Sequence, residues 1–147
     1  QITGRTKQFV NAFGEEVIVD NTDKAIAETC SMLGARVAEY TMGPSYFDER
    51  AKAAHEWILE FEKAPNDLAD FNKILDANLK RLNSDYEAKR EKDMALTLPK
   101  IHAVPKDTFH KWLKSKGKLG GQHKVPRLAN NRSYVEEILQ FANNNNI

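Results

Sequence analysis

Between Pro65 and about Asp93 apolar residues return every three or four positions, at Leu68, Phe71, Leu75, Leu79, Leu82 and Tyr86, with charges filling the remaining positions. That spacing is one stripe of a 3.6-residue helix, and it predicts the longest helix of the chain, with its apolar face turned to a core rather than to a partner. Asn83, Ser84 and Asp85 interrupt its second half with polar groups that could hydrogen-bond a loop, although exposed positions are the simpler account. Upstream, the apolar run Phe9 to Phe13 reads as an opening strand. Asp20 or Asn21 can then cap a helix over roughly 22–33, with Ile26, Cys30 and Leu33 on its inner face and Gly34 placed to end it. Arg36 to Met42 reads as a strand that Gly43-Pro44 breaks. His55 to Lys63 alternates Trp57, Leu59 and Phe61 with Glu56, Glu60 and Glu62, which predicts a half-exposed strand with its glutamates on the solvent face. A strand near Lys100 to Val104 leads to a short helix from Asp107 to Lys116, with Phe109, Trp112 and Leu113 inward and Gly117 as its stop. The last helix opens at Ser133, where Ser133 to Glu136 has the spacing of a capping box, and frays into the asparagines of 143–146.

Strands and helices therefore alternate, but without the even spacing of a doubly wound sheet. The pattern predicts an α+β fold, a small mixed β-sheet with helices packed on it. A chain of 147 residues is long enough for one domain with its own core, since such a domain buries about 70% of its unfolded surface. No internal repeat or linker divides it, so 1–147 is expected to be a single domain, with 143–147 as a frayed tail.

Charge narrows the functional classes. Lys and Arg number 22 against 21 Asp and Glu, a net charge of +1, so the whole-chain field offers no reason to expect nucleic acid or a membrane surface as partner. Any basic site must be local. The single cysteine, Cys30, cannot form an internal disulfide, and nothing resembles a signal peptide or a continuous apolar span, which points to a cytoplasmic setting. Cys30 itself reads as a buried, inert thiol. The four histidines, His55, His102, His110 and His123, lack the paired spacing of a zinc site. They read as structural or solvated, with His123 an outside candidate beside Lys124. The glutamates at 15, 16, 56, 60 and 62 read as strand surfaces and suggest no acid–base dyad.

The local basic site is Lys116 to Arg127, where cations surround Gly117, Gly120 and Gly121. Glycine lets backbone N–H groups approach a ligand, and lysine supplies a mobile charge suited to phosphate. The full phosphate-loop spacing is absent, so a solvated surface loop is the plain reading. Lys124, however, is followed by Val125-Pro126, and proline stiffens the chain just after it.

Two sets of residues carry a resemblance. Gly4-Arg5-Thr6-Lys7, leading through Phe9 to Phe13 into Gly14-Glu15-Glu16-Val17, resembles the hinge of the adenylate-forming enzymes. Leu75-Asp76 with Leu79, Asn83-x-x-Tyr86, Thr108-Phe109 and Gln122-His123-Lys124-Val125-Pro126-Arg127 resemble the carboxy-terminal part of the Gretchen Hagen auxin-responsive family of acyl-acid amido synthetases, with the long charged helix and lysine-rich loop similar to a bacterial branch. The resemblance spans residue 1 to about 140. It implies that this chain is a mobile C-terminal lid, with 1–14 as hinge and first strand, and that a large N-terminal domain binding ATP and a carboxylic acid precedes it in the parent. The implied reaction adenylates the acid and passes the acyl group to an amino acid. By position in the motifs, Lys124 is the implied catalytic residue and Lys7 the hinge. Arg5, Gln122 and Arg127 would lie toward the nucleotide. ATP and Mg2+ would serve the parent, and the isolated chain is not expected to bind them or to turn over. The alternative is a non-enzymatic module that holds phosphate, nucleotide or nucleic acid on the loop 116–127.

Overall fold

The computed structural model describes residues 9–10, 16–46, 53–91, 96–115, 127–129 and 131–144. The opening is a two-stranded antiparallel pair, β1 (Phe9–Val10) with β2 (Val17–Ile18). β2 runs directly into α1 (Val19–Leu33), which starts three residues before the expected position 22. The reason is local: Asn21 sits inside the first turn and its Oδ1 accepts the backbone N–H of Ile18 at 3.0 Å, so it caps by reaching back. Gly34 ends α1 as expected, in the left-handed conformation (φ 66°) that glycine adopts without strain.

The main sheet has the order β3-β4-β5, formed by β3 (Arg36–Tyr46), β4 (Ala53–Lys63) and β5 (Lys100–Val104). β3 and β4 are antiparallel, while β4 and β5 are parallel, so the sheet is mixed as expected. Gly43-Pro44 does not break β3, whose pairing with β4 continues to Tyr46. Glycine at 43 instead allows close approach from outside the sheet: a Cβ there would lie 2.9 Å from the carbonyl oxygen of Asn131 and 3.3 Å from Val135. The far edge of β3 is extended by the segment around Leu128, where Met42 exchanges backbone hydrogen bonds with Arg127 and Ala129 at 2.8 and 3.1 Å.

The predicted long helix is two helices, α2 (Leu68–Leu82) and α3 (Ser84–Arg90), separated by Asn83 in an extended conformation. Asn83 accepts the N–H of Tyr86 at 2.8 Å and donates to the carbonyl of Glu16 and to Asn21, tying the break to the start of α1. Its side chain thus bonds the preceding chain rather than solvent. α4 (Thr108–Ser115) and α5 (Ser133–Asn144) follow. The α5 cap comes from Asn131, whose Oδ1 accepts the N–H of Ser133, while Glu136 pairs with Arg132 instead of closing the expected box.

Two helical layers enclose the sheet. α1, α2 and α3 cover one face, burying Tyr40, Met42, Trp57, Leu59, Phe61, Phe71, Leu75, Leu79 and Tyr86 in one cluster. α4 and α5 cover the other, where Ile58 packs with Val104, Phe109, Trp112, Val135 and Ile138. β4 is therefore buried on both faces from Ala53 to Phe61, not half exposed. Its alternation of apolar and acidic positions is real, but the acidic face meets helices. Glu56 and Glu60 are buried and Glu62 alone of the three is exposed. Among the described residues no helix is long and apolar enough to cross a membrane.

Candidate functional site

Lys124, Lys7, Arg5 and Gln122 lie outside the described residues, as do His123, Gly117 and the rest of the loop 116–126. Arg127, the last residue of the basic run, is described, and the fold brings two elements to it. Its Nε donates to Glu39 Oε1 at 3.1 Å and its Nη1 donates to Asp23 Oδ1 at 3.0 Å, joining β3 to α1. The guanidinium carbon stands 5.2 Å from the centre of the Tyr40 ring, within cation–π range. Tyr40 Oη donates to the same Asp23 oxygen at 2.5 Å and hydrogen-bonds Thr22 Oγ1 at 2.7 Å. Burial, reinforced by the Asp23 carboxylate, pushes the Tyr40 phenol well above its ordinary range, so it stays a donor. Burial alone would lower the Arg127 pKa, but Glu39 and Asp23 outweigh it and the guanidinium remains charged.

Beside this cluster α1 and β3 part to leave a cleft of about 440 Å³. Its ionic end is Arg127, Asp23 and Glu39. Its walls are apolar at Ile26 and Val37, with Cys30 among them. Cys30 is thus half-buried rather than enclosed, and burial still pushes its thiol upward, away from the thiolate a nucleophile needs.

The other residues that carried the resemblance serve the fold. Asp76 is buried and accepts the Tyr86 hydroxyl at 2.6 Å and Arg90 in bidentate fashion at 2.8 and 2.7 Å. Burial pushes its carboxyl up, yet Arg90 and Tyr86 together hold it below the ordinary range. Thr108 closes the turn before α4 through the carbonyl of Pro105 at 2.7 Å. His55 is buried against Tyr86 with ring centres 5.2 Å apart, a structural role as expected, whereas His110 is exposed.

A second ionic group escapes sequence reading because its members lie far apart in the chain. Glu56 binds His102 Nε2 at 2.5 Å through one oxygen and Arg132 Nη1 at 2.5 Å through the other. His102, ahead of burial and Arg132 in weight, holds the Glu56 carboxyl at about 2. The alternation in β4 marked Glu56 as solvent-facing. Its burial comes instead from partners on β5 and just before α5, which the fold brings to β4. Among the described residues no group of three or more His, Cys, Asp or Glu side chains could hold a metal ion.

A model of the GH3 family C-terminal domain matches residues 20–133, which takes in the helices from α1 to α4, the three-stranded sheet and the Arg127 cluster and ends where α5 begins. The chain belongs to the GH3 family. Its fold matches that of a solved GH3.15 acyl acid amido synthetase with a TM-score of 0.72 at 16% identity, covering 95% of this chain and 26% of that one. A second solved structure, AtGH3.15 acyl acid amido synthetase in complex with 2,4-DB, matches with a TM-score of 0.68 at 14% identity, over 92% of this chain and 26% of that one. This GH3 C-terminal domain thus spans about a quarter of the length of those proteins. No curated protein matches its sequence. At such identities the likeness is one of fold, and the mixed sheet between two helical layers is the part held in common.

Proposed function

We propose that this GH3 domain is the mobile C-terminal lid of an ATP-dependent acyl acid amido synthetase, and that an N-terminal domain of the same polypeptide holds ATP and the carboxylic acid. The observation that carries the reading is the family match over residues 20–133, joined to a fold shared over 95% of the chain with a solved acyl acid amido synthetase. The acid's carboxylate attacks the α-phosphorus of ATP, and the bond to the leaving pyrophosphate breaks to give an acyl-adenylate. An amino acid's amine then attacks the acyl carbon, loses a proton, and displaces AMP to leave an amide.

Negative charge accumulates on the α-phosphoryl oxygens during the first step, and a preorganised cation stabilises it. Lys124 supplies that cation. Arg5, Gln122 and Arg127 serve the nucleotide, and Lys7 is the hinge whose backbone absorbs the rotation between the two half-reactions. Among the described residues no group of acidic, His or Cys side chains could hold the Mg2+ that accompanies ATP. A reaction fed by ATP and free amino acids suits the cytoplasm.

The test is ATP–pyrophosphate exchange, dependent on added carboxylic acid, in the full-length protein, with amide formation from an amino acid as the second readout. Lys124→Ala is expected to lower exchange by about 10²- to 10³-fold. Exchange near the wild-type rate would remove Lys124 from adenylation. Lys7→Pro is expected to keep exchange and lose amide formation. A full-length protein that shows neither activity with a broad panel of acids would sink the synthetase reading.

A further inference from the structure

The proposed reaction assigns nothing to the cleft between α1 and β3. Its volume of about 440 Å³ lies in the range of small-molecule sites, about 300–1,000 Å³, which are mostly apolar with a few placed polar groups. Ile26, Ala27, Cys30 and Val37 form its apolar wall, and Asp23 and Glu39 stand at its ionic end. Both acids are in part still open to a ligand. Asp23 accepts the Arg127 guanidinium and the Tyr40 hydroxyl on Oδ1 alone, and Glu39 accepts Arg127 and the Tyr40 backbone N–H on Oε1 alone. Among the described residues no partner falls on Asp23 Oδ2 or Glu39 Oε2. The two side chains are 41% and 26% exposed, so those oxygens are within a ligand's reach.

We infer that this cleft is a binding site for a small apolar primary amine, whose ammonium takes the open oxygens of Asp23 and Glu39 while its hydrocarbon body lies along Ile26, Ala27 and Val37. Charge decides the class of ligand. Arg36 also lines the cleft but has a carboxylate of its own in Glu62 at 3.7 Å, which leaves two acids against Arg127, a net charge of −1. An alkylammonium, charged at neutral pH as lysine is, cancels that charge. An added carboxylate would meet the two acids and restore it. Arg127 already brings both acids to one group, and an ammonium has three N–H donors to distribute over them. The site does not depend on the lid reading. It is also compatible with a nucleotide role for Arg127, because a guanidinium that turns toward a nucleotide leaves the acids more negative and favours the ammonium further.

The test titrates the full-length protein with isopentylamine by calorimetry in the absence of ATP. Saturable binding is expected, weakened about 10- to 100-fold in a variant carrying both Asp23→Asn and Glu39→Gln, since the charged hydrogen bonds are lost. Isocaproate and isopentyl alcohol keep the hydrocarbon body but replace the ammonium by a carboxylate or a neutral hydroxyl, and neither should bind. Leucine, which adds a carboxylate, should bind about 10-fold or more weakly than the amine. Location is read separately from affinity. Isopentylamine should slow the alkylation of Cys30 by a maleimide in the wild-type protein, followed on the Cys30 peptide by mass spectrometry. Ala27→Trp, a plug at an exposed position of α1, should abolish both binding and protection. These pairs are half-exposed and add little to folding, so all the variants should melt near wild type. Absence of saturable amine binding overturns the inference. So does binding that survives in the double variant or in Ala27→Trp, or equal affinity for the alcohol or for leucine, because each removes the acids or the cleft from recognition. Amine binding that leaves Cys30 alkylation unchanged places the ligand elsewhere and overturns it too. None of these readouts requires turnover, so they decide the site whether or not the synthetase reading holds.

Discussion

Glu60 Oε1 accepts the backbone N–H of Phe109 at 3.0 Å, so a carboxylate on β4 caps a helix that begins nearly fifty positions later. Its other oxygen accepts the N–H of Asp107, also at 3.0 Å. Asp107 is held at φ 71°, and α4 starts at the next residue. The first N–H groups of a helix have no partner within it, and here the buried Glu60 side chain accepts that of Phe109 in the first turn and that of Asp107 just before it. Replacing Glu60 with Ala removes the acceptor from both. It should cost about 1–2 kcal/mol of stability, read as a lower urea midpoint. Glu60→Gln keeps one acceptor oxygen and should cost less.

Gly43→Ala should also destabilise, by about 1–3 kcal/mol. The added methyl would meet the carbonyl oxygen of Asn131 at 2.9 Å, and backbone cannot step aside as a flexible side chain can. The conflict would push α5 off β3 near Val135. A urea midpoint equal to wild type would show that the 129–131 segment yields without cost.

The Asp76 site separates two kinds of loss. Tyr86→Phe deletes one hydrogen bond to a carboxylate that keeps Arg90, and should cost about 1–3 kcal/mol. Arg90→Ala strands Asp76 in the interior without its main partner, and should cost about 3–5 kcal/mol. Thermal unfolding of both variants ranks them, and equal losses would contradict the bidentate pair as the dominant contact.

These networks explain what could and could not be read from the chain. The stripe from Leu68 to Tyr86 located α2 and α3, because both face one core and a helical period persists across a one-residue break. The break itself depends on Asn83 meeting Glu16 and Asn21, a contact set by tertiary structure and invisible to periodicity. The α+β class, the mixed sheet, the C-terminal end of α1 at Gly34 and the span of β5 followed from local pattern. Burial of Glu56 and Glu60 did not, since an acid on an alternating strand reads as solvent-facing until β5, the start of α4 and the turn before α5 supply its partners. At the candidate site, glycines and cations singled out the run ending at Arg127. Nothing in the pattern indicated that Asp23 and Glu39, 104 and 88 positions away, would bind it.

Glu56 makes a pH prediction whose sign can be worked out. In the folded chain its carboxyl is held at about 2, below the ordinary 4.5, first by His102 and then by Arg132 against the opposing effect of burial. Between those values the unfolded chain binds the proton more readily than the folded one, so stability rises with pH across the window. The contribution is present in full above about 4.5 and is lost as pH falls toward about 2. Asp76 is lowered as well, so the wild-type acid limb contains both groups. Glu56→Gln should therefore flatten the limb without abolishing it, and should lower stability at neutral pH where the charged pair is lost. His102→Gln removes the largest stabiliser of the Glu56 anion and should move the acid loss to higher pH. Urea midpoints collected from about pH 2 to about pH 7 distinguish these cases, and a Glu56→Gln profile parallel to wild type would show that Glu56 is not held ionised by the His102–Arg132 pair.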